Sequence, residues 1–328
     1  MTNPTSIEPF RLAPFRMEPR FVARVWGYGD LRPWFDKIAE GEPIGEVWLT
    51  GDDSLIATGP HAGKTLAALF AEAHEALLGR AAPAESPLLI KVLFAEQKLS
   101  VQVHPDDRMA QKYGLARGKS ECWYALAARP GAEVAVGLKS GATLDQVKEE
   151  IRAGTLENSL NLLPVKKGDL IYVDAGTVHA IWPGSILLET QQNADVTYRM
   201  YDYGRPRELH IDKSLEATKL ATRAGKVSPA PLEDRTLLID SEYFRMEKVP
   251  VIGSRISESL RGSQGKQGLA WLFAASGAGR LVGPGFEPVE MPARGIVAVP
   301  ATAPEFVLED LGELELIRIT PNWPDTAD

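Results

Sequence analysis

The hydrophobic pattern of the chain consists mostly of short apolar runs separated by glycine and proline. Several runs alternate apolar and polar residues with a period of two, as strands with one buried face do. The chain contains 29 Gly and 24 Pro, and frequent turn residues between short apolar runs favour a mainly β core. The strands predicted in the first part of the chain are Glu46–Thr50, Leu88–Phe94, Leu99–Val103, Cys122–Ala127, Glu133–Gly137, Asp169–Val173, Ile186–Thr190 and Thr197–Tyr201.

Three stretches repeat apolar residues at helical spacing instead. Two of them are followed directly by a glycine, Gly79 or Gly154, which is the usual residue just past a helix C-terminus. Thr143, the first residue of one of them, is a good N-cap candidate. The predicted helices are Thr65–Leu78, Thr143–Ala153 and Ile211–Ala221.

A polar, proline-containing stretch over Ala224–Arg235 interrupts this pattern and predicts a domain boundary. We therefore expect a β domain with added helices over residues 1–235 and a smaller β domain over residues 236–328. The second region contains no histidine and no cysteine, so we expect the chemistry in the first. The strands predicted in the second region are Tyr243–Val249, Gly268–Phe273, Gly295–Val299, Glu305–Leu308 and Leu314–Ile319.

Composition and charge narrow the classes of function. The chain has 36 basic and 44 acidic residues, a net charge of −8, which argues against nucleic acid as the main partner because such binding depends on Lys and Arg. Cys122 is the single cysteine, so an intrachain disulfide is excluded. No run of about 18 apolar residues predicts a membrane span, and the N-terminus lacks a signal-peptide pattern. We expect a cytoplasmic protein without a membrane partner, and the sequence does not predict its oligomeric state.

A predicted strand places three polar side chains on one face. In a strand that includes residues 100–104, Ser100, Gln102 and His104 point to the same side. This face lies either in water or inside a binding site, where such groups would be costly to bury unless they bind something. The strand alone does not decide between the two.

A second segment, Gly168–His179, combines a strand with a tight turn at Gly176. Its spacing of Gly168, Asp174, Gly176 and His179 resembles the second metal-binding motif of the cupin superfamily, with Asp174 where proline is commoner. The first cupin motif normally offers His-x-His and a later glutamate. Here the pair is Gln102 and His104, and Glu121 follows 17 residues after His104.

This Gln-x-His pair resembles the type I mannose-6-phosphate isomerases. The resemblance extends from about residue 10 to about residue 215, and after residue 236 it rests only on size and strand pattern. It implies two jelly-roll (cupin) β-barrels. We expect the second barrel to be metal-free, because Arg294–Glu305 resembles Gly168–His179 in rhythm but has no histidine at the matching place. The segments that carry it are Arg24–Gly27, Pro43–Trp48, Leu89–Ala95, Leu99–Pro105, Gly118–Tyr124 and Glu189–Arg199.

The resemblance implies a metal-dependent isomerase that interconverts mannose 6-phosphate and fructose 6-phosphate. It implies one Zn²⁺ per chain, and the same nitrogen and oxygen ligands also suit manganese, cobalt, nickel or iron. The implied metal ligands are Gln102, His104, Glu121 and His179. The implied catalytic residues are Lys91, Lys119, Glu189, Asp195 and Arg199, and the implied substrate or phosphate contacts are Ser100 and Arg205.

The proton-transferring base stays open at this point. A lysine, Lys119 or Lys91, could serve if burial and neighbouring cations lower its pKa, and a carboxylate, Glu189 or Asp195, could serve if burial raises it. We favour Lys119 for proton transfer, because it lies two residues before Glu121 and so on the same strand face. Other readings are an iron-dependent cupin dioxygenase and a non-catalytic sugar-phosphate-binding cupin.

The sequence leads to predictions at three further positions. Some bacterial members have a histidine just before the Lys119 position, where this chain has Gly118, so a mechanism that uses that histidine cannot operate here. Lys91 lies inside an apolar strand and needs a partner. Cys122 follows Glu121 directly and should point to the opposite sheet face, into packing.

Overall fold

The computed structural model describes residues 11–79, 84–256, 260 and 268–322. Its strands before residue 236 are Phe15–Arg16 (β1), Arg20–Tyr28 (β2), Ile44–Trp48 (β3), Leu88–Phe94 (β4), Val101–Val103 (β5), Glu121–Ala128 (β6), Glu133–Leu138 (β7), Leu160–Pro164 (β8), Leu170–Val173 (β9), His179–Ile181 (β10), Ser185–Gln192 (β11), Tyr198–Tyr201 (β12), Gly225–Val227 (β13) and Ala230–Pro231 (β14). The later strands are Thr236–Asp240 (β15), Phe244–Pro250 (β16), Ser254–Ile256 (β17), Ala270–Val282 (β18), Val289–Met291 (β19), Ile296–Val299 (β20) and Val307–Pro321 (β21).

These strands form three open antiparallel sheets. The seven-stranded sheet has the order β13-β9-β6-β11-β4-β3-β2, and the five-stranded sheet has the order β12-β5-β10-β7-β8. The nine-stranded sheet follows β1-β20-β18-β21-β16-β15-β14, with β17 on β21 and β19 on β18. The mainly β prediction is confirmed, whereas the finer prediction of two closed jelly-roll barrels is not confirmed by these open sheets.

The seven-stranded sheet is the middle layer of the molecule. Side chains such as Trp123 and Ile171 on one face pack against the five-stranded sheet, and side chains such as Cys122 and Leu188 on the other pack against the nine-stranded sheet. All seven residues of β4 and all eight of β11 are therefore buried. This double burial explains why β4 is apolar at every position except Lys91, as strands covered on both faces usually are. In contrast, β11 buries five polar residues, Ser185, Glu189, Thr190, Gln191 and Gln192.

The helices are Leu66–Leu78 (α1), Asp107–Lys112 (α2), Leu144–Ala153 (α3) and Ile211–Ala217 (α4), with a short 3₁₀ helix over Leu156–Ser159. Gly79 and Gly154 follow α1 and α3 with positive φ angles, which confirms both predicted C-terminal glycines. Sequence patterning missed the short helix α2. It also extended α4 too far, because the Lys219 N–H donates to the Gly176 carbonyl and draws the chain out of the helix.

Strand boundaries differ from the predictions mainly in the last sheet. The two runs predicted as Glu305–Leu308 and Leu314–Ile319 are parts of one strand, β21, which passes through Gly312 with irregular register. The strand β2 was missed altogether. In the predicted boundary stretch Ala224–Arg235, β13 pairs with β9 of the seven-stranded sheet, and β14 pairs with β15 of the nine-stranded sheet.

The division into residues 1–235 and 236–328 stays a prediction. The chain passes from one sheet to the other between β13 and β14, but β1, near the start of the chain, pairs with β20 of the nine-stranded sheet. A single apolar cluster also joins residues of both regions. Among the described residues, no helix has the length and apolarity needed to cross a membrane.

Candidate active site

A cavity of about 450 Å³ lies between the five-stranded and seven-stranded sheets. The strands that line it come from both sheets, so its shape depends on how the two layers face each other. Seven of the residues implied by the resemblance line this cavity, namely Lys91, Ser100, Gln102, Lys119, Glu189, Asp195 and Arg199. The structure thus brings together side chains that are up to 108 positions apart in the sequence.

Three further residues, His104, Glu121 and His179, lie together beside this cavity. His104 Nε2 is 3.5 Å from Glu121 Oε2, and His179 Nε2 is 3.5 Å from Glu121 Oε1. The candidate ligand atoms all lie within 4.8 Å of one another, and the three side chains are at most 1% exposed. This trio has the spacing and the donor types that can hold a divalent metal ion.

The polar atoms of the trio have unused bonding capacity. Both ring nitrogens of His104, both carboxylate oxygens of Glu121 and Nε2 of His179 are buried without a hydrogen-bond partner. Buried polar atoms are nearly always satisfied, and leaving several of them unpaired is costly. The convergence of these atoms on one point therefore fits a bound metal ion.

The local backbone orients the His179 side chain towards His104 and Glu121. The turn before it has Gly176 at a φ of 92°, a conformation that favours glycine, as its spacing predicted. The Gly176 N–H donates to the His104 carbonyl over 2.9 Å, which ties the turn to the other histidine. His179 Nδ1 lies 2.8 Å from the Thr177 carbonyl, so the proton belongs on Nδ1 and the Nε2 lone pair faces Glu121.

Gln102 is placed on the same face by strand register. In the five-stranded sheet it lies directly opposite His179 on one side and opposite Arg199 on the other. Residues directly opposite one another in a sheet point to the same face. Ser100 is buried, and Gln102 is half-buried at the cavity, so the polar face of this strand borders the cavity rather than bulk water.

The electrostatics of the trio match the protonation states that metal binding requires. Burial, with Lys119 nearby, lowers the pKa of His104 to about 3, so its imidazole is neutral at physiological pH. Burial alone would raise the pKa of Glu121, but the charge of Lys119, whose Nζ is 3.2 Å away, outweighs it and holds that pKa well below its ordinary range. Neutral imidazoles and an ionised carboxylate are the forms that bind metal.

A row of charges crosses the seven-stranded sheet along the cavity. Lys91 Nζ lies 2.9 Å from Glu189 and 3.8 Å from Glu46, so the expectation that this buried lysine has a partner is confirmed. Burial opposes the charge of Lys91, but these carboxylates outweigh it and raise the pKa of the lysine. Two indole N–H groups complete the row, because Trp48 donates to Glu46 and Trp123 donates to Glu189.

The two carboxyls of this row differ in their acidity. Burial raises the pKa of Glu189 above its ordinary value, and the charge of Lys91 only partly offsets this. Burial acts on Glu46 in the same direction, but the charges of Lys91 and Arg24 outweigh it and lower its pKa to about 2. Glu46 is therefore a fixed negative charge, and Glu189 is the carboxyl of the row whose protonation is the easier to change.

Arginines surround part of the cavity. Arg199 donates from a terminal nitrogen to the Glu208 carbonyl over 2.7 Å, and its buried Nε has no partner. Arg207, which sequence reasoning missed, lines the cavity and is held by two hydrogen bonds of 2.7 Å to Asp202. Arg24 and Glu46 were also missed as cavity residues.

Two of the residues implied by the resemblance, Arg205 and Asp195, are not enclosed in the cavity. Arg205 is not among the cavity-lining residues. Its guanidinium lies 2.8 Å from Asp202 and donates to the Lys98 carbonyl over 2.7 Å. Asp195 lines the cavity but is exposed. The roles of both stay predictions.

Gly118 has no room for a side chain. A Cβ atom there would lie 2.5 Å from the Asp106 carbonyl carbon and 2.6 Å from the Asp107 nitrogen. Because these are backbone atoms, a histidine at this position would require the Pro105–Asp107 segment to move. The expected packing of Cys122 is confirmed, since its buried Sγ lies 3.2 Å from Met246 Sδ on the opposite face of the sheet.

Comparison with known proteins agrees with this arrangement. A family model described as phosphomannose isomerase type I, catalytic domain, matches residues 15–143. The mannose-6-phosphate isomerase of Streptococcus mutans is 36% identical over 255 residues, which cover 74% of this chain and 80% of that protein. The probable mannose-6-phosphate isomerase GmuF of Bacillus subtilis is 33% identical over 313 residues, which cover 90% and 96%.

A solved structure shows the same likeness in three dimensions. The crystal structure of the mannose 6-phosphate isomerase from Bacillus subtilis superposes with a TM-score of 0.82 at 29% identity, covering 94% of this chain and 99% of that one. The sequence relatives cover at least two thirds of both chains at more than 30% identity. The chain therefore belongs to the type I phosphomannose isomerase family.

Proposed function

We propose that this protein is a metal-dependent aldose–ketose isomerase that interconverts D-mannose 6-phosphate and D-fructose 6-phosphate. The observation that carries this proposal is one cavity in which a convergent His–Glu–His trio adjoins buried lysines, a carboxylate and arginines. The names of the relatives supply the substrate. Such an isomerisation moves a proton between C1 and C2 of the open-chain sugar and passes through an enediol or enediolate.

The metal ligands in this proposal are His104, Glu121 and His179, with the Gln102 amide as the fourth. Two nitrogens and two oxygens suit Zn²⁺ bound once per chain, and they also admit other divalent ions. A divalent ion held there supplies Lewis-acid polarisation of a sugar oxygen next to the carbon that loses its proton. Among the described residues, this trio is the one cluster of His, Cys, Asp or Glu with this spacing.

Lys119 is the residue we propose for proton transfer. Its side chain is 5% exposed and its ammonium lies 3.2 Å from Glu121, so it is adjacent to the ion that Glu121 would hold. Lys91 is less suited to the role of base, because its carboxylate partners keep it protonated. Glu189 is the second candidate, since burial raises its pKa and the cavity reaches its side chain.

We propose two roles for the cationic side chains of the site, stabilisation of the enediolate charge and binding of the substrate phosphate. Arg199 presents a planar guanidinium that can contact two oxygens at once, which suits both a phosphate and a developing enediolate. Ser100 lines the same cavity as a candidate phosphate contact. Arg205, which donates to the Lys98 carbonyl, would have to exchange that partner to reach a phosphate.

The finer architecture belongs to the same proposal. We take residues 1–235 as a catalytic cupin unit of jelly-roll type and residues 236–328 as a smaller related unit without metal. The absence of histidine and cysteine after residue 236 supports a metal-free second unit. We also retain a cytoplasmic location as a prediction.

A coupled assay with mannose 6-phosphate tests the proposed activity. Formation of fructose 6-phosphate by the metal-loaded protein supports an isomerase. Oxygen uptake without isomerisation would indicate a dioxygenase, and binding without turnover would indicate a sugar-phosphate-binding protein. Either of the last two outcomes contradicts the proposal.

A further inference from the structure

The segment that leads into Glu121 is held by three consecutive backbone N–H groups. Gly118 N–H donates to Asp107 Oδ1 over 2.7 Å, Lys119 N–H donates to the Pro105 carbonyl over 3.0 Å, and Ser120 N–H donates to Gln192 Oε1 over 2.9 Å. The strand β6 begins only at Glu121. The acceptors named here, rather than a regular strand ladder, therefore fix the backbone that carries Lys119.

Asp107 is the centre of this network. Its Oδ1 also accepts from Gln192 Nε2 over 3.0 Å, so the side chain that binds Ser120 is itself oriented by Asp107. Its Oδ2 accepts from the Tyr243 hydroxyl over 3.0 Å. Tyr243 directly precedes β16 of the nine-stranded sheet, so the network extends from that sheet to the residue before Lys119.

The packing at Gly118 makes this contact tight. Because even a Cβ atom would meet the Asp106–Asp107 backbone at 2.5–2.6 Å, the two segments touch through their main chains. A displacement of the Asp106–Asp107 backbone is therefore transmitted to Gly118 without an intervening flexible side chain. Small displacements matter at such a place, since a shift of about 1 Å in a reacting group can cost about 100-fold in rate.

We propose that Asp107 is a positioning residue for Lys119 and Glu121, and that Tyr243 makes the nine-stranded sheet part of the active-site support. Asp107 binds the Gly118 N–H directly and supports Ser120 through Gln192, and the Tyr243 hydroxyl binds Asp107 from the nine-stranded sheet. The inference rests on the proposed function, because it assigns a role to residues that act through Lys119 and the metal ligands. It gives the last third of the chain a role in catalysis that requires no ligand-binding residue there.

Four variants separate positioning from simple stabilisation. Asp107→Ala removes the three hydrogen bonds that the Asp107 carboxylate accepts, from Gly118, Gln192 and Tyr243. Asp107→Asn keeps Oδ1 for Gly118 and offers Nδ2–H to the Tyr243 oxygen. Tyr243→Phe removes only the hydroxyl. The matched control is Tyr124→Phe, because the Tyr124 hydroxyl also reaches the nine-stranded sheet, at Glu315 over 3.3 Å, and its side chain lies on the sheet face away from Glu121.

The measurements are kcat, KM, metal content, thermal unfolding and the visible absorption spectrum of the cobalt-substituted protein. We expect Asp107→Ala to lower kcat or metal affinity by roughly 10–100-fold, the usual effect of removing a residue that supports metal ligands, with an altered cobalt spectrum. Asp107→Asn should recover most of the loss. Tyr243→Phe should lower kcat by roughly 10-fold, at the low end of the same range, and Tyr124→Phe should leave it unchanged.

Two results would overturn the inference. One is a wild-type kcat and cobalt spectrum in Asp107→Ala, with or without a lower unfolding temperature. The other is an equal loss of kcat in Tyr243→Phe and Tyr124→Phe. Failure of the proposed function gives a different result, because the wild-type protein itself would then not isomerise mannose 6-phosphate. The metal content and cobalt spectrum of the variants would still test the positioning role.

Discussion

Two buried clusters of ionisable residues differ in how their polar atoms are satisfied. The cavity cluster, His104, Glu121 and His179 with Lys119, has five buried polar atoms without a hydrogen-bond partner. The sheet cluster joins Glu247 of the nine-stranded sheet to arginines. Glu247 Oε1 accepts from Arg245 over 3.0 Å, and Oε2 accepts from Arg318 over 2.7 Å. Arg235 also lies 3.7 Å from Oε2.

This difference separates a binding site from a structural ion pair. Burial alone does not, because Glu247 and Arg318 are only 2% and 4% exposed. A buried charge whose partners are all present in the chain contributes to structure. A buried set of ligand atoms that converge and lack partners indicates something that the chain binds.

The largest expected effect follows from removing a metal ligand of the cavity cluster. In His104→Ala the protein should fold but retain little metal, and kcat should fall about 1000-fold or more, because Lewis-acid stabilisation is worth several kcal/mol. Elemental analysis and the coupled assay measure both effects. Chelation of the wild type should reproduce the loss, and added Zn²⁺ should reverse it.

The matched control for this variant is His61→Ala, since His61 lies away from the cavity lining. It should keep both metal and activity. Full metal content in His104→Ala and also in His179→Ala would contradict the ligand assignment and remove the contrast between the two clusters.

The next effect concerns Lys119, which belongs to the cavity cluster without binding metal. Lys119→Ala should lower kcat by about 10²–10⁴-fold, as loss of a proton-transfer group does. Its metal content should stay near that of the wild type. Steady-state kinetics with mannose 6-phosphate measure the effect, with the exposed Lys167→Ala as control.

A different outcome would reassign the lysine. A wild-type kcat with only a raised KM would make Lys119 a phosphate contact. The base would then be sought first at Glu189. Arg199→Lys should also fall short of full activity, because an ammonium cannot replace a planar guanidinium that spans two oxygens.

A third prediction tests the sheet cluster. Glu247→Ala leaves the buried Arg318 without its carboxylate, and breaking a buried ion pair in this way costs about 3–5 kcal/mol of unfolding free energy. The kcat of the folded protein should not change. Urea unfolding and the coupled assay give the two values, and a lowered kcat at full folding would mean that the sheet cluster takes part in catalysis.

The smallest effect is a pH dependence from Glu46. Its folded pKa of about 2 lies below its ordinary value of 4.5, so its ionisation stabilises the fold above pH 4.5, and this contribution is lost as pH falls towards 2. The gap between the two pKa values corresponds to about 3 kcal/mol. The difference in urea stability between wild type and Glu46→Gln should therefore be largest near pH 6 and shrink towards pH 2.

An exposed glutamate provides the control for this titration. Glu290→Gln should change stability little, because Glu290 is exposed. If the difference between wild type and Glu46→Gln were constant from pH 6 to pH 2, the pKa of Glu46 would not be lowered in the folded protein, and its ion pairs with Lys91 and Arg24 would not act as proposed.

The sequence predicted those parts of the site that follow from local spacing. His104 and His179 belong to recognisable strand-and-turn patterns, and Lys91 was notable because a lysine inside an apolar strand needs a partner. Glu46 gave no such signal. Its contact with Lys91 depends on the register in which β3 pairs with β4, and the sequence of neither strand alone determines that register.

Other residues of the site could not be predicted from the sequence for the same reason. Arg207 and Arg205 are two residues apart, and only the folded loop shows that Arg207 borders the cavity. Tyr243 belongs to a region whose sequence shows no chemistry, and its contact with Asp107 is formed across 136 positions. Each predicted strand overlaps an observed strand, but β2, β8, β15 and six shorter strands were not predicted. The long irregular strand β21 was predicted as two strands because polar residues interrupt its apolar pattern.

The middle position of the seven-stranded sheet has a consequence for how the enzyme can be altered. In β11, Glu189 faces the cavity, whereas the preceding residue, Leu188, points to the other face of the sheet and packs against the nine-stranded sheet. A substitution in this strand that shifts the backbone disturbs catalysis and global packing together. Laboratory evolution towards other sugar phosphates should therefore accumulate changes at the cavity rim, around Asp195 and Arg207, and leave β4 and β11 nearly untouched.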